Sequence, residues 1–263
     1  MRIPLFHVDA FTEQPFRGNP AAVCFLDSWL DEGRLHKVAA ENNLSATAFL
    51  LESTEGYELR WFTPRCEIRL CGHATLASAH VLLTLRKNQL ASVAFKTKFS
   101  GILTVKQDGE DLIMDFPAMP AAACEAPAKL REALQLESRP LELLAANETY
   151  IAVIDSAESV MNLRPNLAIL EELHPWVVAV TARGTDADFV SRYFAPSYGI
   201  PEDPVTGSAH CALAPYWANR LGKSTLHARQ LSERGGELWC EVRGDRVFLK
   251  GKAVVTLEGS LSM

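Results

Sequence analysis

Two short loops carry the residues best able to do chemistry: Cys71-Gly72-His73-Ala74-Thr75 and Glu202-Asp203-Pro204-Val205-Thr206-Gly207-Ser208. Each runs into an apolar, Ala-rich stretch, so each places a glycine where a helix begins. The first N–H groups of a helix lack intrahelical partners and lie at the positive end of its dipole, and glycine lets a ligand approach the backbone. Two such helix ends would grip a small carboxylate. His73, whose side-chain type titrates at about 6.5, and Asp203 are then candidates for moving a proton on the bound acid. Taken singly, each feature has a plainer explanation: glycines suit tight turns, Ser208 suits an N-cap, and Asp203 beside Pro204 suits a turn. The matched placement of the two loops favours the binding reading. His7, His80 and His210 lack that placement and read as structural or surface groups.

The elements that must position these loops come in two copies. Phe62-Thr63-Pro64, running to Ile68 and then Gly72-His73-Ala74, is echoed by Phe194-Ala195-Pro196, running to Ile200 and then Gly207-Ser208-Ala209. In each copy an aromatic-rich strand (57–62 and 189–194) leads through a Pro-containing loop to the helix, which points to two similar lobes with a cleft between them. Upstream, 3–9 and 22–26 read as paired strands joined at Gly18-Asn19-Pro20, and 30–42 has helical apolar spacing. Strands are expected at 46–51, 93–97, 102–107 and 112–116, and a helix at 73–85. Pro117, Pro120 and Pro127 mark an Ala-rich linker without regular structure. The second lobe repeats the order, with strands at 149–154, 177–182 and 189–194, helices at 166–173 and 208–221, and three closing strands with turn signals at Gly235-Gly236 and Gly244-Asp245. The expected class is α+β: two pseudo-symmetric lobes, 1–117 and 118–263, each a mostly antiparallel sheet wrapped around a central helix, with terminal strands able to cross between them.

Composition narrows the partners. The chain has 263 residues, 26 Lys plus Arg against 32 Asp plus Glu, and a net charge of −6 without a basic run. That gives no electrostatic footprint for nucleic acid or an anionic membrane surface, so a small molecule is the expected partner. Its apolar runs are far shorter than the roughly 18–20 residues of a membrane span, and Met1-Arg2-Ile3 opens a strand-like segment instead of a signal peptide, which points to the cytoplasm. Six cysteines without a C-x-x-C pair read as reduced thiols, and the histidines lack ligand spacing, so no metal is expected.

Six blocks taken together carry a resemblance. They are Val8-Asp9-Ala10-Phe11-Thr12, Phe16-Arg17-Gly18-Asn19-Pro20-Ala21-Ala22-Val23, Leu44-Ser45-Ala46-Thr47-Ala48-Phe49, Arg60-Trp61-Phe62-Thr63-Pro64, Leu70-Cys71-Gly72-His73-Ala74-Thr75, and Glu202 through Ala209. In this order they resemble the phenazine-biosynthesis PhzF-like family over almost the whole chain. The resemblance implies a diaminopimelate-epimerase-type fold with the active site between the lobes. It also implies a cofactor-independent isomerase, a homodimer, acting by proton transfer on a small carboxylic acid such as a dihydro-hydroxyanthranilate-like compound. His73 and Asp203 match the family's assisting histidine and aspartate, and Asn19, Gly72, Gly207 and Ser208 match positions that hold substrate.

One departure stands out. Where the family carries a proton-shuttling glutamate, within Ser-Glu-Thr-Ala-Phe, this chain has Ala46. A methyl group cannot take or return a proton, and general acid–base catalysis is typically worth about 10²–10⁴ in rate. Three readings stay open: an isomerase lacking its base, an isomerase with a relocated base, and an inactive small-acid-binding pseudoenzyme. Cys71 sits where cysteine-based racemases of the same fold class carry one of two thiol bases. The facing position is Thr206, far too weak an acid for that role, so Cys71 reads as a packing residue.

Overall fold

The structure is a computed structural model that describes residues 1–54, 56–85, 91–125, 127–136 and 142–263. It divides into two compact units, Met1–Phe116 with Leu249–Met263, and Pro117–Phe248. No helix among the described residues is long and apolar enough to cross a membrane.

In the first unit the chain runs β1 (Arg2–Ala10), β2 (Asn19–Leu26), α1 (Glu32–Asn42), β3 (Ala46–Ser53), β4 (Gly56–Phe62), β5 (Glu67–Ile68), α2 (Gly72–His80), β6 (Ser92–Thr97), β7 (Ile102–Asp108) and β8 (Asp111–Pro117). Strand pairing is antiparallel for β1–β2, β3–β4, β4–β5, β6–β7 and β7–β8, and parallel for β2–β3 and β4–β6. The two parallel steps fall where α1 and α2 carry the chain back across the sheet, the connection that parallel neighbours require. Helix α2 is buried from Gly72 to Ala79 and packs on β1, β2, β3 and β7. Its small side chains let the sheet close around it. After His80 a π-helical turn, Val81–Leu85, continues the expected helix in a looser winding.

The second unit repeats this plan. Its elements are β9 (Ala122–Ala123), α3 (Ala128–Leu134), β10 (Glu142–Ala146), β11 (Thr149–Val153), α4 (Ala157–Asn162), α5 (Leu167–Glu171), β12 (Val177–Arg183), β13 (Phe189–Ala195), β14 (Ile200–Asp203), α6 (Gly207–Leu221), β15 (Thr225–Gln230) and β16 (Gly236–Arg243), followed by β17 (Arg246–Gly251), whose residues from Leu249 on belong to the first unit. Here β10–β11, β12–β13, β13–β14 and β15–β16 are antiparallel, while β11–β12 and β13–β15 are parallel, again across helices. The order antiparallel, parallel, antiparallel, antiparallel, parallel, antiparallel recurs from β1 to β7 and from β10 to β16. A duplicated sequence has become a duplicated topology.

The chain then returns. The last strand, β18 (Ala253–Ser262), lies antiparallel along β1, from Arg2 opposite Ser262 to Ala10 opposite Ala253, so 249–263 belong to the first unit and not to the second.

Several expectations change. Asn19 and Pro20 do not form the turn after β1; both are strand residues paired with Ala10 and Asp9, and the chain reverses over 11–18. The stretch read as an unstructured linker holds β9 and α3, although its residue 126 lies outside the described residues. Pro127 caps α3 instead of breaking it, because a proline at a helix start loses no intrahelical bond. Leu130, Ala133 and Leu134 of that helix are buried with Val178, Val180 and Phe194, and burying each large apolar side chain is worth about 1.5–3 kcal/mol.

Candidate active site

The two loop-to-helix junctions are built alike. Cys71 caps α2 with φ −141° and ψ 102°, and Thr206 caps α6 with φ −110° and ψ 96°. Neither cap side chain bonds the first-turn N–H groups, and neither first turn holds an acidic residue, so both helix ends keep their positive dipole end uncompensated by a cap. In each junction the side chain four residues on bonds the cap carbonyl: Thr75 Oγ1 donates to Cys71 O at 2.6 Å, and His210 Nδ1 to Thr206 O at 2.8 Å. Since a carbonyl only accepts, Nδ1 of His210 carries the proton.

The first unit holds Asn19, Ala46, Gly72 and His73. Asn19 is fully buried at the head of β2. The turn that delivers it is fixed by Asp9, whose Oδ2 accepts from Phe16 N at 2.7 Å, and by Gly18 at φ +63°, where an added Cβ would lie 2.2 Å from Ala10 O. Ala46 opens β3 opposite Ala21 and is fully buried, with β2 on one side of its strand and β4 on the other. It therefore lies in an interior strand and not at a strand edge. His73 is buried too, and burial lowers its pKa to about 3, so the imidazole is neutral at pH 7 and does not titrate near neutrality as its type alone suggests. Its Nδ1 lies 3.4 Å from Cys71 Sγ.

The second unit brings together Asp203, Gly207 and Ser208, with two residues that sequence reasoning did not single out for this role. Thr206 Oγ1 donates to Asp203 Oδ2 at 2.6 Å. Gln230, at the end of β15, accepts from Thr206 N at 2.9 Å and donates from Nε2 to Asp203 O at 2.6 Å and to Thr206 Oγ1 at 3.2 Å. No local signal marks Gln230, which lies on a strand after α6. Thr206 was visible as the counterpart of Cys71, but its bond to Asp203 depends on the fold of the 203–206 loop. Just upstream, Glu202 is held by Arg192, whose Nη1 also donates to Leu163 O at 2.7 Å. His210, at the first turn of α6, has its pKa lowered by burial to about 4, partly countered by the bond to Thr206 O.

Among the described residues no cluster of three or more His, Cys, Asp or Glu side chains is placed to hold a metal ion. What the two junctions offer is a pair of N–H-lined helix starts, a carboxylate supplied with a hydroxyl donor, and a neutral imidazole.

Comparison with known proteins bears on the family and the fold. The sequence profile of the family described as phenazine biosynthesis-like protein, PhzC-PhzF, matches residues 8–259. An uncharacterised isomerase of Pseudomonas aeruginosa is 49% identical over 263 residues, covering 100% of both chains. The crystal structure of a phenazine biosynthesis protein of the PhzF family from Enterococcus faecalis superposes with a TM-score of 0.93 at 41% identity, again over 100% of both chains. A hydroxyproline epimerase from Agrobacterium vitis, at 10% identity and a TM-score of 0.66 over 99% of this chain and 92% of its own, shares the fold. The two-fold repeated α+β architecture is thus of the epimerase type, and the chain belongs to the PhzC-PhzF phenazine biosynthesis-like family.

Proposed function

We propose that this protein is an isomerase that moves a proton on a small carboxylic acid, which is cyclic or unsaturated and of the dihydro-hydroxyanthranilate kind, using neither a metal nor an organic cofactor and working as a homodimer. The observation that carries the reading is the pair of matched helix starts, α2 and α6, whose cap side chains leave the first-turn N–H groups available to an anion. Gly72 at the start of α2, and Gly207 and Ser208 at the start of α6, would offer those N–H groups to the acid, and Asn19 on β2 would assist. Asp203, as a carboxylate accepting from Thr206, is poised to accept a proton. His73, neutral at pH 7, serves as a hydrogen-bond partner and not as a resident cation.

Ala46 favours a second reading, an inactive small-acid-binding protein, because no side-chain base stands where relatives of this family are expected to carry glutamate. The deciding experiment is solvent hydrogen exchange into a panel of small unsaturated acids in deuterated water, with the natural chain and with Ala46→Glu. The missing-base account expects a gain on the order of 10²-fold or more in the glutamate variant. Because Ala46 is enclosed, the new carboxylate also needs hydrogen-bonding partners to be tolerated. Measurable exchange by the natural chain would mean that the base is relocated. A folded glutamate variant that binds the acids yet exchanges nothing would retire the isomerase reading in favour of the binding protein.

A further inference from the structure

Gln230 has a buried amide whose two ends cannot be exchanged. Its residue is 1% exposed, held on β15 between β13, where it lies opposite Ser191, and β16, where it lies opposite Gly236. The backbone N–H of Thr206 can only donate and the carbonyl of Asp203 can only accept. Oε1 must therefore face Thr206 N at 2.9 Å, and Nε2 must face Asp203 O at 2.6 Å. The second hydrogen of Nε2 is then directed at Thr206 Oγ1, 3.2 Å away. With that lone pair engaged, the hydroxyl hydrogen of Thr206 is turned to Asp203 Oδ2 at 2.6 Å. A fixed amide thus sets the direction of a hydroxyl, and the hydroxyl presents a donor to the carboxylate.

We infer that Gln230 is a positioning residue that, through Thr206, holds Asp203 in place as an ionised proton acceptor. The inference deepens the isomerase reading, since it rests on Asp203 as the proton-transfer group, and it assigns work to a strand residue remote in sequence from both helix starts. Several other charged and titratable groups stand near Asp203 and its partners. Tyr193 lies opposite it on β13 with a phenol driven up by burial and by the charge of Asp203, although a bond to Thr149 counters this. Glu202 is committed to Arg192, and His210 on α6 donates to Thr206 O while burial keeps its imidazole neutral. Arg229, beside Gln230, pairs with Asp186. Removing the hydroxyl donor, or the amide that orients it, would disfavour the charged form of Asp203.

The test needs no substrate, so its failure is separate from a failure of the isomerase reading. The carboxyl carbon of Asp203 is followed by 13C NMR against pH in the natural protein, with its resonance assigned by its loss in Asp203→Asn. Gln230→Met, which removes the amide without adding charge, and Thr206→Val should each move the titration midpoint up by about one pH unit or more, while Thr206→Ser, which keeps the hydroxyl, should leave it in place. A purely structural Gln230 would lower the unfolding midpoint of Gln230→Met and leave the Asp203 titration where it was; that outcome overturns the inference. Should Gln230→Met fail to fold, Thr206→Val reads the same hydroxyl. An unchanged midpoint in that variant, or an equal shift in Thr206→Ser, overturns it as well.

Discussion

Arg192 grips Glu202 in a two-bonded fork, Nε to Oε1 at 2.7 Å and Nη2 to Oε2 at 2.8 Å, one residue before Asp203. The first unit holds its twin: Arg60 meets Glu67 through Nε to Oε1 at 2.6 Å and Nη2 to Oε2 at 2.8 Å. Each arginine also lies over the phenylalanine two residues on, Phe62 at 5.2 Å and Phe194 at 5.0 Å. Both glutamates stand five positions before the glycine that opens the helix. The fork fastens the short strand, β5 or β14, from which the chain turns into the site, and its planar, two-point geometry fixes orientation as well as distance. Burial alone would push Glu67 up, but the bonds from Arg60 and Lys98 outweigh it and hold the carboxyl below its usual range.

Arg192→Met should therefore destabilise the protein by about 3 kcal/mol, because it strands Glu202 and also releases the carbonyls of Val160, Met161 and Leu163. The double change Arg192→Met with Glu202→Leu should recover part of that loss. Urea unfolding at fixed pH measures both, and a single variant as stable as the natural chain would show the fork to be dispensable.

Stability should fall on mild acidification. His73 and His210 have folded values of about 3 and about 4 against 6.5 when free, so the unfolded chain binds protons that the folded chain refuses. The loss begins as pH drops through 6.5 and proceeds at about 1.4 kcal/mol per pH unit for each histidine. It levels off below the folded value. Unfolding free energies at pH 7 and pH 5 should therefore diverge, and His210→Gln should reduce the difference. An equal slope in that variant would show that His210 takes up its proton while folded.

Gly18→Ala should cost about 1–3 kcal/mol, since an alanine must hold φ +63° with its Cβ against Ala10 O. The damage should extend to Asn19, the next residue. Thermal unfolding checks the first effect, and weaker binding of small acids checks the second.

Asp203→Asn should leave the fold within about 1 kcal/mol of the natural chain, because the amide oxygen can still accept from Thr206. It should nonetheless lower exchange by about 10²-fold or more in whichever form of the protein turns over, natural or Ala46→Glu. Unfolding curves beside deuterium exchange separate the two effects, and a loss of cooperative folding would make Asp203 a structural residue.

The duplication, the two glycine-opened helices and most strands were legible in the sequence because their signals are local. Residues 189–194 read as a strand from their own side chains, and Gly207 reads as a helix start from its neighbours. What lay beyond the sequence was set by partners distant along the chain. β5 and β14 are too short to show a period, and they exist because Arg60 and Arg192 reach across to Glu67 and Glu202. Helix α3 looked like a linker because prolines surround it, yet Leu130 and Leu134 find a core that composition does not reveal. Sequence alone named His73 as a proton-transfer candidate from its type; tertiary burial, which strips water from the imidazole, decided that it stays neutral. It also named Asp203 from a motif. Only the folded sheet, which carries β15 alongside β13, could bring Gln230 to the Asp203–Thr206 loop and settle which way a single hydroxyl points.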